Sequence, residues 1–150
     1  MKLAEALQAR ADNARRIDTL KSRLTNNALV QEGEKPAENP GDLLRELDTC
    51  VGELETLLTR INLTNCNTVV DGTPLTALLA RRDALKTKLD AYRTLVHESS
   101  QTARRAARSE IRILSAVNVA EVQKTVDALS KELRLLDNRI QETNWTTELL

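Results

Sequence analysis

Few side chains in this 150-residue chain can do acid–base, nucleophilic or metal chemistry. It has one histidine, His97, and two cysteines, Cys50 and Cys66. A structural zinc site uses about four nitrogen or sulfur ligands, and neither cysteine has a partner at C-x-x-C spacing. Cys50 occupies a position in the repeat of apolar residues of the second predicted helix, which is typical of a buried, unreactive thiol. We therefore expect no metal, no cofactor and no enzymatic activity.

A second group of polar side chains lies in the stretch INLTNCNTVVDGTPL, residues 61–75. A solvated linker does not need so many short hydrogen-bonding side chains. We interpret the stretch as a hydrogen-bonded corner that fixes how two helices dock, at a point that can also contact another subunit. A ligand-binding or catalytic loop is the alternative, and only Cys66 supports it. The candidate interaction residues here are Asn62, Thr64, Asn65 and Asn67.

The third group is the basic segment ARRAARSEIR, residues 103–112. In a helix, three of its four arginines would share one face and could hold phosphate groups. No aromatic residue lies nearby to stack on bases, and the whole chain is neutral, with 22 basic and 22 acidic residues. We therefore favour a solvated or self-complementary surface, with nucleic-acid or phosphate binding as the alternative. The four candidates are Arg104, Arg105, Arg108 and Arg112.

Four amphipathic helices are predicted to position these residues, because apolar side chains recur at alternating spacings of three and four. They span residues 2–29, 40–61, 74–97 and 119–142. Since aromatics make up only 1% of the chain, the core must consist of aliphatic residues. We predict a single all-α domain over residues 1–150, built as an elongated antiparallel bundle or as coiled-coil hairpins. In the second helix, Leu44, Val51 and Leu58 widen the apolar stripe, which indicates packing on two neighbours.

A small β element is also expected in the loops. Residues 68–70 precede the turn-forming pair Asp71-Gly72, and residues 111–117 alternate apolar with polar side chains, as a half-buried strand does. We expect these two pieces to pair as a two-stranded ribbon, within the chain or with a second subunit.

Charge and the last residues both point to association. Acidic residues predominate between residues 32 and 55, and basic residues predominate between 81 and 112. Complementary faces of this kind steer pairing, within one chain or between subunits. In the terminal stretch NWTTELL, Trp145 would be costly to leave in water. We therefore expect this stretch to fold back or to dock on a neighbour.

The location expected from the sequence is the cytoplasm. The stretch MKLAEALQARADNARR has no apolar core of the kind found in secretory signals, and no run approaches 18 apolar residues, so no membrane partner is expected. Two cysteines are also too few for a secreted disulfide scaffold.

Four polar, non-periodic segments carry a family resemblance: NNALVQEGEKPAENP, RINLTNCNT, SEIRILSAVNV and IQETNWTTEL. Taken together, over the length of the chain, they resemble the septicolysin-like proteins of actinobacteria and other bacteria. The resemblance implies long helices, self-association and no established reaction. The family name implies a cytolytic activity, which the water-soluble character of the predicted helices does not favour.

These observations predict an uncharacterised helical protein that forms homo-oligomers and acts as a structural or interaction protein. Nucleic-acid or phosphate binding through the arginine segment is the alternative, and cytolysis is less favoured. The sequence identifies no small-molecule ligand.

Overall fold

The computed structural model describes residues 1–102 and 111–150, which form four helices and one two-stranded sheet. The predicted all-α fold with four long helices and a short β element is confirmed. The elements, in chain order, are α1 (Leu3–Asn26), α2 (Pro40–Asn67), β1 (Val69–Val70), β2 (Thr73–Pro74), α3 (Leu75–Ser99) and α4 (Val119–Thr146).

The described residues divide into two compact units. The first comprises Met1–Pro74 together with Thr143–Leu150, and the second comprises Leu75–Glu142. Each unit is built on one pair of helices, α1 with α2 in the first and α3 with α4 in the second. The expectation of a single domain stays a prediction.

The α1–α2 pair runs antiparallel. Arg16 pairs with Glu46 and the later Arg23 pairs with the earlier Glu38, so the order of contacts reverses between the helices. Between them lies an aliphatic core that includes the predicted buried thiol. Its members are Leu20, Leu43 and Cys50, with Ile17, Leu24 and Leu47 packed against them.

The α3–α4 pair has a core of the same kind, as the predicted periodicity requires. Leucines and a valine of the two helices interdigitate, and the single tyrosine of the chain packs at the edge of the cluster. Its members are Leu85, Leu89, Val126 and Leu129, with Tyr92, Val96 and Leu133 packed against them.

The two strands pair differently from the prediction. β1 pairs with β2, with Val70 opposite Thr73, and residues 111–117 form no strand. Asp71 and Gly72 both have positive φ, at 45° and 77°, as the two central residues of a type I′ turn require. This tight turn reverses the chain at once, so β1 finds its partner four residues away rather than across the sequence.

The helix ends also differ from the predicted ones, most clearly in α2. It continues six residues beyond Ile61, because the buried Thr64 occupies the next inward position of the helix and bonds to a carbonyl one turn back. α4 likewise continues past residue 142 through the buried Thr143 and Asn144. The prediction followed apolar side chains alone, and these inward positions are polar.

Candidate interaction surfaces

The predicted Asn/Thr corner is the last part of α2, so its interpretation as a loop is wrong. The Thr64 hydroxyl donates to the Arg60 carbonyl at 2.8 Å, and the Asn67 amide donates to the Leu63 carbonyl at 2.9 Å. These bonds keep the polar side chains within the helix. Of the other two candidates, Asn62 is exposed and Asn65 is half-buried.

Thr64 makes a contact with the end of the chain that the sequence did not predict. Its hydroxyl oxygen accepts a hydrogen bond from the Leu150 backbone N–H at 3.0 Å, and the Arg60 guanidinium donates to the Leu150 carbonyl at 2.6 Å. The end of α2 therefore holds the last residue of the chain.

The segment after α4 folds back on the start of α1, which confirms one of the two expectations for it. The Leu3 N–H donates to the Thr147 carbonyl and the Leu149 N–H donates to the Met1 carbonyl, both at 2.9 Å. The Leu149 side chain is buried, whereas Trp145 keeps 62% of its surface exposed. Trp145 is thus a candidate contact residue rather than part of the core.

Charge reinforces this contact between the two ends of the chain. The Lys2 ammonium lies 2.6 Å from a Glu148 carboxylate oxygen, and the Met1 amino group lies 3.3 Å from the other. Hydrogen bonds from Lys2 and from the terminal amino group lower the pKa of Glu148. The carboxylate is therefore favoured in its charged form in the folded protein.

One flank of the α1–α2 pair is closed by ion pairs. The Arg23 guanidinium binds both Glu38 oxygens, with Nε at 3.1 and 3.2 Å, and this hydrogen bond lowers the pKa of Glu38. Arg16 lies 2.9 Å from Glu46. Some of the acidic residues predicted to complement residues 81–112 are therefore engaged by α1 instead.

The opposite flank of this pair is open and apolar. Leu44, Val51 and Leu58 keep 50%, 48% and 38% of their surfaces exposed. They are spaced by seven residues and therefore form one line along α2. Glu46 lies two residues after Leu44, about 200° further round the helix, so the aliphatic line and the ion pairs lie on opposite flanks. We call Leu44, Val51 and Leu58 the α2 stripe.

The α1–α2 seam also contains one buried polar residue, Asn13. Its amide nitrogen donates to Glu53 at 3.1 Å, and its side-chain oxygen has no partner among the described residues. A polar side chain at one seam position typically specifies register at a cost in stability. In the sequence, Asn13 only interrupts the apolar pattern of α1, so its buried position is not predictable from its type.

The remaining sequence candidates do not come together as a site in the described part of the chain. Arg104, Arg105 and Arg108 lie outside the described residues, and Arg112 is exposed. Cys50 is buried and Cys66 is exposed on the last turn of α2. Across residues 1–102 and 111–150, no three His, Cys, Asp or Glu side chains are grouped so that they could hold a metal ion.

Comparison with known protein families assigns the chain to one of them. The family of unknown function DUF6847 matches residues 10–149. The chain belongs to this family. The predicted septicolysin-like resemblance is therefore wrong, because neither comparison that matched points to septicolysins.

A solved structure agrees with this assignment to DUF6847. The chain is similar to a protein described as a functionally unknown conserved protein from Corynebacterium diphtheriae, at 41% sequence identity and a TM-score of 0.95. The similarity covers 100% of this chain and 99% of the other. No curated protein matches.

The sequence predicts no membrane partner, and the length and apolar character of the helices bear on this prediction. Within residues 1–102 and 111–150, none of the helices combines the length and the apolar character that crossing a bilayer requires.

Proposed function

We propose that this protein is a non-enzymatic interaction protein whose α1–α2 pair associates with a second copy through the flank that carries the α2 stripe. The observation that carries the proposal is the row of three half-exposed aliphatic side chains at seven-residue spacing. Seven-residue repeats of this kind are how helices pack on other helices in water. Two unpaired cysteines suit the cytoplasm as its location.

The same flank of α1 supplies the surface on which the α2 stripe would pack. Leu7, Ala14 and Lys21 are also spaced by seven residues. Ala14 and Lys21 precede Arg16 and Arg23 by two residues, so they lie on the flank opposite the ion pairs. The flank is thus formed by two parallel lines of side chains, one on each helix.

Charge favours a second copy of this chain as the occupant, in one arrangement. The α2 side of the flank carries Asp48 and Glu55, each four residues after a stripe residue. The α1 side carries Arg10 and Lys21, with one acidic residue, Asp18, 3.8 Å from Lys21. Packing α2 on the other copy's α2 would bring acidic residues together. Packing α2 on the other copy's α1 brings acidic residues against basic ones, and two-fold symmetry then makes both contacts at once.

The size of the flank is adequate for such a dimer. Helices of 24 and 28 residues give a face about 36 Å long and about 20 Å wide, roughly 700 Å² per copy. Standard stable interfaces bury about 800 Å² per partner. The proposed dimer therefore lies near the ordinary size for a specific complex.

The test is the solution mass by light scattering across a range of protein concentrations. We expect a dimer for the wild-type chain and at least a 100-fold higher dissociation constant for Val51→Glu, because a carboxylate would be buried without a partner. Leu63→Glu is the matched control, because Leu63 is 52% exposed on the same helix, about 120° away from Val51. Its dissociation constant should stay within about threefold of the wild type.

A charge exchange tests the arrangement of the helices. Glu55→Arg should weaken the dimer by about tenfold, and adding Arg10→Glu should restore it, because the pair is re-formed with opposite signs. A wild-type monomer at about 100 µM, or equal dissociation by Val51→Glu and Leu63→Glu, would refute the proposed dimer. Dimerisation without restoration by the double variant would refute only the α2-on-α1 arrangement.

A further inference from the structure

An open groove with both apolar and charged lining residues runs between α3 and α4 in the second unit. It has a volume of about 350 Å³, at the lower end of the range for small-molecule sites. On α3 it is lined by residues one turn apart, and on α4 by a stripe of residues spaced by three and four. The lining residues are Leu89, Arg93, Ser130, Leu133, Arg134, Asp137 and Asn138.

The two arginines of this groove differ from most others in the described chain. Among the residues that the structure describes, the hydrogen-bond partner of Arg93 is a neutral group, the Ser130 hydroxyl, at 3.3 Å. Arg134 and Asp137 have no ion pair within the described residues, although they are three apart on one helix. Elsewhere, six arginines each meet a carboxylate: Arg15, Arg16, Arg23, Arg45, Arg81 and Arg82.

The remaining lining groups complete a recognisable binding chemistry. Leu89 and Leu133 belong to the α3–α4 core and give the groove apolar lining beside its polar groups. Ser130 and Asn138 can each donate a hydrogen bond to an oxyanion, and Asp137 can accept one from a hydroxyl or amino group of the same ligand. The groove carries two positive charges and one negative charge, so it favours an anion.

We propose that this groove binds a small phosphate-bearing molecule, with Arg93 and Arg134 on the phosphate and Asp137 on a donor group of the ligand. Arginine suits this role because its planar fork of donors matches phosphate oxygens. The site does not depend on the proposed dimer, because all of its residues lie in the second unit and the α2 stripe lies in the first.

The test uses inorganic phosphate as the probe, followed by two-dimensional NMR at constant ionic strength. We expect saturable shifts of the Ser130 amide and the Arg93 Nε–H signals, with a dissociation constant on the order of millimolar. Arg93→Gln and Arg134→Gln should each weaken binding at least tenfold. Arg45→Gln is the control, because it removes the same charge from an exposed position on α2 and should leave binding unchanged.

Two results would overturn the proposal. One is a set of shifts spread over the basic surface that chloride reproduces at the same ionic strength. The other is unchanged affinity in both groove variants, with their spectra otherwise native. Val51→Glu separates the two proposals, because it should retain phosphate binding whether or not it dimerises.

Discussion

In the α1–α2 pair, Arg16 of α1 meets Glu46 of α2, and Arg23 of α1 meets Glu38 just before α2. In the α3–α4 pair, Arg81 meets Glu132, whereas Arg93 donates to the Ser130 hydroxyl. Both pairs enclose aliphatic cores of similar make-up. The difference between them therefore lies in their polar edges. In the first pair, the arginines of α1 bind carboxylates of the same unit, whereas in the second pair Arg93 and Arg134 line an open groove.

The two pairs also differ in what joins their ends. The Asn27 side chain accepts from the Glu38 N–H at 2.9 Å and donates to the Arg23 carbonyl at 2.8 Å, so it ties the end of α1 to the start of α2. At its other end, the pair is held by the chain's last residues. The first unit is thus fastened at both ends by hydrogen bonds. Such contacts add specificity more than stability, because each is worth only about 0.5–1.5 kcal/mol net.

The largest effect on stability is expected from substitutions in the two cores, which test whether the cores contribute equally to the free energy of unfolding. Leu20→Ala and Leu89→Ala should each lower the free energy of unfolding by about 2–5 kcal/mol, because both side chains are almost completely buried. Urea denaturation measures the loss, and hydrogen exchange shows which unit loses protection. Leu135→Ala, at an exposed position of α4, should change stability by less than about 0.5 kcal/mol.

The prediction would be contradicted if Leu89→Ala lowered the free energy of unfolding as little as Leu135→Ala does, while Leu20→Ala lowered it by about 2–5 kcal/mol. In that case the second helix pair would be packed more loosely than the first, and the equivalence of the two cores would be wrong.

A smaller loss of stability is expected from a substitution that removes the contact between α2 and the last residues. Thr64→Val removes the hydroxyl that accepts from the Leu150 N–H, with little change in shape, and should cost about 1 kcal/mol. Thr56→Val is the matched control, because Thr56 makes the same type of bond to a carbonyl one turn back but is exposed. Thermal unfolding of both variants measures the difference, and equal losses would show that the Leu150 contact adds no stability.

Much of the fold was predictable because its signals are local. The periodicity of apolar residues predicts the four helices, and α2 begins at the predicted residue, Pro40. The preceding Asn39 side chain accepts from the Gly41 N–H at 2.8 Å and so caps the helix. The fold-back of the last residues was also predicted, but it buries Leu149 and leaves Trp145, the residue from which it was inferred, 62% exposed. For the helices and for the start of α2, the physical cause lies within a few residues of the position it determines.

The parts that could not be predicted depend on contacts between distant residues. Thr64 looks like a loop residue from its type, and only its contact with Leu150, 86 positions away, explains why it is buried in a helix. Arg93 and Arg134 carried no signal, because the groove exists only where α3 meets α4. The α2 stripe was visible in the spacing of Leu44, Val51 and Leu58, but its exposure was not.

The smallest expected effect concerns pH and the ion pairs that distinguish the first helix pair. The Arg23 guanidinium lowers the pKa of Glu38 below the ordinary value of about 4.3. Because the pKa is lower in the folded state, the pair stabilises the protein above about pH 4.3, and the stabilisation is lost as pH falls through the lowered pKa. The effect is small because the pair is partly exposed and solvent screens it.

Glu38→Gln should therefore reduce stability at pH 7 and converge with the wild type near pH 2, where Glu38 is protonated in both folded and unfolded chains. Urea midpoints measured from pH 7 to pH 2 give this profile. Glu34→Gln in the same loop is the control, because Glu34 has no ion pair within the described residues. A parallel offset between Glu38→Gln and the wild type at every pH would mean that the substitution acts through packing, and the ion pairs would then not be what separates the two helix pairs.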